Sequence, residues 1–209
     1  MIQRLIAIQQ ELSSKVRIVP LGAEPRLVAG VDAWCHQRTI RAGVAVFSLP
    51  GKMLVYAEAA ERDEEFPYVP CFLSFRELSA MTEAIRRLPE PPDLILVDGQ
   101  GIAHPRGLGI ASHLGVELGI PTIGCAKSRL VGEYEEPGPE RGSWRPLVYQ
   151  GRTVGAVLRT RANVRPLFVS SGHLVCLDDA IRFVLEFCNG YRLPEPLREA
   201  DRVSRATGF

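Results

Sequence analysis

The chain has no long hydrophobic run, no paired cysteines and almost no lysine. Its uninterrupted apolar stretches, such as Leu94 to Val97, fall far short of the roughly 20 residues that cross a bilayer. Met1 to Leu12 is broken by Gln3, Arg4, Gln9 and Gln10, which excludes a signal peptide and leaves the cytoplasm as the expected location. The cysteines, at 35, 71, 125, 176 and 188, are odd in number and form no CxxC pair, so neither a disulfide framework nor a structural zinc site is expected. HEXXH is absent as well, which argues against a metalloprotease. Bulk charge is missing too: 25 basic residues face 24 acidic ones, for a net +1, so the protein does not hold nucleic acid by overall charge.

The chain does have an ordinary globular composition, with 46% hydrophobic and 23% charged residues over 209 positions. One domain covering 1–209 is the expectation, long enough to bury a full core without a staple. Lysine occurs only at 15, 52 and 127, and the segment from Arg141 to Leu177 carries no acid at all. Its arginines, at 141, 145, 152, 159, 161 and 165, suit phosphate contacts by guanidinium forks, or equally a solvated strand face.

The pattern along the chain predicts an α/β fold: an antiparallel meander, then parallel βαβ strands, flanked by helices. Leu27–Trp34, Ile40–Leu49 and Met53–Glu61 read as meander strands, with Pro50-Gly51 as the turn between the last two. A helix is expected from Ser74 to Leu88, stopped by Pro89, Pro91 and Pro92. Leu94–Val97 reads as a strand buried on both faces. Ile110, Leu114 and Leu118 mark a helix closed by Gly119, and Thr122–Cys125 reads as the second parallel strand. Further strands are expected at 147–149, 153–158 and 167–170, then a helix capped by Asp178 and ending near Gly190. The polar stretch after Tyr191 reads as a loosely ordered tail.

Against this background three acids stand in apolar settings. Asp32 interrupts an otherwise uncharged strand, where burying an unpaired carboxylate is costly. Asp98 ends the most apolar strand, at the edge where ligands collect in open α/β sheets, although Asp98-Gly99 is also an ordinary turn pair. Glu77 fits a capping box with Ser74, yet on a helical wheel it falls within the stripe of Leu78, Met81, Ala84, Ile85 and Leu88. A hard divalent cation with oxygen ligands, such as Mg²⁺ or Mn²⁺, would make three inward acids tolerable and would serve phosphoryl chemistry. Lys127 is expected at the same sheet edge as Asp98, and His173 in a loop before the last helix. Tyr68, held between Pro67 and Pro70, is either a ring that wedges against bases or a core plug.

The blocks that carry these residues resemble the endonuclease V family: AGVD at 29–32, PYVP and LSFRE between 67 and 77, VDGQGIAHPRGLGIASHLG at 97–115, PTIGCAK at 121–127, PLFVSSGH at 166–173 and YRLPEP at 191–196. The resemblance implies a ribonuclease H-like fold and metal-dependent hydrolysis of the second phosphodiester 3′ to inosine, leaving 3′-hydroxyl and 5′-phosphate ends. It implies Asp32, Glu77 and Asp98 as metal ligands, His173 as a helper that places a metal or the attacking water, and Lys127 as the neutraliser of the cleaved phosphate. It also implies Pro67, Tyr68, Val69 and Pro70 as a wedge beside the lesion, and Gly99 and Gly101 as the place where a flipped purine approaches the backbone. Mg²⁺ is the implied cofactor, with Mn²⁺ able to substitute; inosine-containing DNA, or RNA, is the implied partner, for a monomer with no membrane attachment. Departures from the bacterial pattern fall at Cys71, where Gly is usual, at Gln100, where His is usual, and at Gly107 and Leu174, where Arg is usual. The residues alone leave two rivals open: a junction-type nuclease of the same fold and a lesion-binding module that does not cut.

Overall fold

In the computed structural model, which describes residues 2–206, the chain begins with helix α1 (Ile2–Ser13). The expected meander follows as β1 (Leu27–His36), β2 (Thr39–Ser48) and β3 (Met53–Asp63), each antiparallel to the next. Helix α2 (Leu73–Arg86) leads into β4 (Leu94–Val97), then α3 (Ile110–Leu118) and β5 (Thr122–Ala126). β4 runs parallel to both β1 and β5, which closes the expected βαβ unit. Three antiparallel strands complete the sheet: β6 (Trp144–Tyr149), β7 (Arg152–Leu158) and β8 (Leu167–His173), the last pairing with β5. The order across all eight strands is β3-β2-β1-β4-β5-β8-β7-β6. Two helices follow, α4 (Leu177–Phe187) and α5 (Glu195–Arg205). Among the described residues, no helix is long and apolar enough to cross a membrane.

The sheet is covered on both faces. Ala29, Val31, Ile95 and Val97 pack with Met81 and Ile85 of α2 and Ile110 and Leu114 of α3. On the opposite face Val28, Leu94 and Leu96 pack with Phe183 and Phe187 of α4 and Leu197 of α5. Because successive residues of a strand point to opposite faces, Asp32 and Asp98 continue the second of these rows, toward α5.

Three expectations require correction. The stretch after Tyr191 is not a loose tail: α5 buries Pro196, Leu197, Ala200 and Val203. Two glycines make room for it, since a side chain at Gly30 would meet the Pro196 carbonyl carbon at 2.1 Å and one at Gly43 the Ala200 oxygen at 2.3 Å. The N-cap of α4 is Cys176 rather than Asp178, and the helix stops at Phe187. Nor does Ser74 cap α2; Phe72 holds the N-cap position without a side-chain hydrogen bond, and the Ser74 hydroxyl lies 3.0 Å from Nδ1 of His113. The capping-box explanation of Glu77 is thereby removed. All five cysteines are free, as their spacing predicts.

Candidate metal centre and adjoining cavity

Parallel pairing of Val31 with Val97 puts Asp32 and Asp98 at neighbouring positions where β1 and β4 end, and the Asp98 amide donates to the Val31 carbonyl at 3.1 Å. Among the described residues, the Asp32 carboxylate accepts only its neighbour's amide, from Ala33 at 2.8 Å. Burial and then the nearby Asp98 push Asp32 up to about 7. Glu77, on α2, shares their electrostatic field. Burial drives it up to about 8, opposed by Arg76 and reinforced by Asp32 and Asp98. Asp98 is raised too, first by burial, against the pull of Lys127. Three acids with a high proton affinity and a shared field are what close approach in a low-dielectric edge produces.

A fourth acid belongs here that sequence reasoning missed. Asp201 on α5 adds to the field that raises both Asp32 and Asp98, while its carboxylate holds Arg205 at 2.7 Å. The signal was available: Leu197, Ala200 and Ser204 form a stripe that a wheel of 197–204 would have brought beside Asp201.

Lys127 follows β5 and its ammonium lies against the Asp98 carboxylate. Partial burial works against the charged ammonium, but Asp98, with Asp32 and Asp201 behind it, raises its proton affinity overall. A set of carboxylate oxygens suits a hard divalent cation, and a cation would relieve the repulsion that raises Asp32. Among the described residues no three such side chains already stand close enough together to form a metal cage. The donor chemistry and the convergence fit a cation; Lys127 now takes one Asp98 oxygen.

His173 does not join this group, which corrects the expectation for it. β8 runs antiparallel to β5, so His173 pairs with Thr122 at the start of β5, five residues and roughly 16 Å of strand from Lys127. Its Nδ1 accepts the Arg17 amide at 3.2 Å, and burial, then Arg17, lowers its proton affinity. Gly101 is likewise displaced from its expected role: a side chain there would strike the Ser171 carbonyl at 2.1 Å, and its amide donates to the Ser170 hydroxyl at 2.8 Å. It packs against β8 instead of facing open space.

Gly99 does line a cavity of about 310 Å³ that Asp98 and Lys127 border. Tyr68, Cys71, Leu73, Gln100 and Leu108 complete much of its wall. Tyr68 is 61% exposed, so it is no core plug, and Pro67 and Pro70 beside it are exposed while Val69 is half-buried. The loop ends at Cys71, whose carbonyl accepts from Gln9 Nε2 at 2.9 Å and Arg106 at 3.1 Å and lies 3.0 Å from Nε2 of His104.

The arginine-rich segment divides. Arg159 is buried and holds Glu136 and the carbonyls of Pro137, Gly138 and Val164, and Arg141 binds the carbonyls of Leu185 and Cys188. Arg165 is exposed and lines a groove with Lys127, Arg129 and Arg192.

The Endonuclease V family model matches residues 10–202. Endonuclease V of Geotalea uraniireducens is 55% identical over 196 residues, which is 94% of this chain and 84% of the relative. That of Trichormus variabilis is 50% identical over 206 residues, 97% of this chain and 93% of the relative. Among solved structures, the endonuclease V of Streptomyces avermitilis superposes with a TM-score of 0.92 at 42% identity, covering 97% of this chain and 91% of its own. The Ciona intestinalis endonuclease V, solved in complex with a 24mer DNA containing an inosine followed by a ribo-adenosine, gives a TM-score of 0.84 at 26% identity, covering 98% and 96%.

Proposed function

The chain belongs to the endonuclease V family, with its ribonuclease H-like fold, and we propose that it cuts nucleic acid at the second phosphodiester 3′ to inosine, initiating repair of deaminated adenine. The observation that carries this is the convergence of Asp32 and Asp98 on adjacent strand ends with Glu77 from α2, beside a cavity faced by an exposed aromatic loop. In this reading Asp32, Glu77, Asp98 and the added Asp201 hold Mg²⁺, with Mn²⁺ able to replace it. A bound cation supplies Lewis acidity and an activated water for attack in line with the departing 3′-oxygen. Lys127 leaves Asp98 to neutralise the phosphate when strand and cation enter. Pro67 to Pro70 fill the gap from which the base is drawn, and the 310 Å³ cavity receives the flipped base. The protein works as a single catalytic unit over 1–209, as a monomer in the cytoplasm, on inosine-containing DNA or RNA.

Nicking of otherwise identical strands that carry inosine or adenine, as single-stranded DNA, duplex DNA and RNA, with Mg²⁺, Mn²⁺ or EDTA, tests it. The expected products have a 3′-hydroxyl on the lesion's 3′ neighbour and a 5′-phosphate on the nucleotide after it, and appear only with metal. Cleavage indifferent to inosine, or persisting in EDTA, sinks the proposal. Asp32→Ala should lose cleavage yet still bind the inosine strand, which separates an enzyme from a pure binder.

A further inference from the structure

Among the described residues, one buried polar side-chain atom in the wall of the cavity beside the acids is left over by the fold. Gln100 lines that cavity and is only 8% exposed. Its Nε2 donates to the Ser128 carbonyl at 3.0 Å, which fixes the carboxamide: turned over, it would set oxygen against oxygen. Oε1 is therefore an acceptor, and it is buried without a hydrogen-bond partner. Several other polar side chains of the wall are engaged within the protein: Gln9 and His104 with the Cys71 carbonyl, Ser74 with His113, Lys127 with Asp98 and Arg129 with the Gly132 carbonyl. Folded proteins leave few buried acceptors unpaired, and a site built to bond a ligand's N–H discriminates strongly against a ligand that lacks it.

We propose that Gln100 is a specificity-determining residue, its Oε1 accepting a hydrogen bond from the N1–H of a flipped 6-oxopurine. This rests on the reading that the cavity receives the base. Hypoxanthine carries a hydrogen on N1 beside its C6 carbonyl. Adenine instead presents a bare N1 lone pair, which would face the Oε1 lone pairs in a water-poor cavity, so adenine loses the bond and gains a repulsion. Selection of inosine over adenine then follows from one fixed acceptor. Because Gln100 is two residues from Asp98, the base-reading atom and the metal-binding carboxylate share one loop.

The test measures equilibrium binding in EDTA, without cleavage, to three otherwise identical single strands carrying inosine, 1-methylinosine or adenine at one position. 1-Methylinosine keeps the carbonyl and carries a methyl group in place of the N1–H, so the comparison between wild type and variant, and not the wild-type ratio alone, reads the hydrogen bond. Wild type should prefer inosine over both others by about tenfold or more. Gln100→Leu should lose most of that preference by weakening inosine binding alone, with the other two strands bound as before. Gln100→Met keeps the side-chain length and serves if the leucine variant melts early. A wild type that prefers inosine, together with variants that keep the same ratio or weaken all three strands equally, overturns the inference and leaves the base cavity standing. A wild type that binds inosine and adenine strands alike overturns the cavity reading itself, and the inference with it.

Discussion

Asp32 is a buried carboxylate beside Asp98, and in the metal-free protein it costs stability in a pH-dependent way. Its ordinary value of 3.8 rises to about 7 in the fold, so between about pH 4 and 7 the folded protein holds more protons than the unfolded chain. Stability of the metal-free protein therefore falls as pH rises through that window. Asp32→Asn removes the cause, and in EDTA at pH 8 it should be more stable than wild type by on the order of 2 kcal/mol, with no gain at pH 4. Thermal denaturation at the two pH values checks this; an equal gain at both would contradict it. His104 works in the opposite sense. Burial lowers it from 6.5 to about 4, so its contribution is present above about pH 6.5 and is lost as pH falls toward 4. Asp32 and Glu77 were legible in the sequence because a charge inside an apolar pattern needs an explanation. His173 was not, because only the antiparallel register of β8 shows which end of the sheet it occupies.

At the level of elements, two helices that the sequence does not announce position the centre. α1 buries only Gln9, a polar residue, so no apolar stripe marks it as packed. That side chain nonetheless reaches the Cys71 carbonyl and also Arg106, tying α1 to the end of the Tyr68 loop. Cys71 has φ +67, a left-handed conformation that local hydrogen bonds must hold in a non-glycine residue. Gln9→Ala should loosen residues 66–71, seen as faster amide exchange there, and weaken binding of inosine strands severalfold while the single-turnover rate at saturation changes little. Unaltered exchange would show that the carbonyl is held without Gln9. α5 was hidden for a different reason: its burial depends on Gly30 and Gly43, distant in sequence, which leave a trough for its backbone. The acid it delivers makes a separate prediction. Asp201→Asn should lower the single-turnover cleavage rate by about 100-fold or more, as loss of a charge at a metal site does, with binding in EDTA retained. A near-wild-type rate would remove Asp201 from the metal set.

For the molecule as a whole, a net charge of +1 means that affinity for a polyanion depends on where the basic residues sit. Composition could show an acid-free run from 141 to 177, but it could not distinguish arginines that hold the fold from those that face a strand. The structure separates them by burial and by partners. Arg159 is used up among carbonyls and Glu136, whereas Arg165 is exposed along a groove that runs from Lys127 past Arg129 and Arg192. Arg159→Ala leaves several buried carbonyls without their donor and should destabilise the protein by ~2–4 kcal/mol, with weakened binding only as a consequence of unfolding. Arg165→Ala should leave the melting temperature unchanged and weaken inosine and adenine strands by the same factor, because a phosphate contact carries no base information. The slope of log affinity against log salt should fall by about 0.7 on single strands, the share of one neutralised phosphate. Titration at several salt concentrations measures it. If the slope stays at the wild-type value, the strand leaves the acid centre by another path, and the groove lined by Arg198, Arg202 and Arg205 on the α5 side, which Asp98 and Lys127 also border, becomes the surface to mutate next.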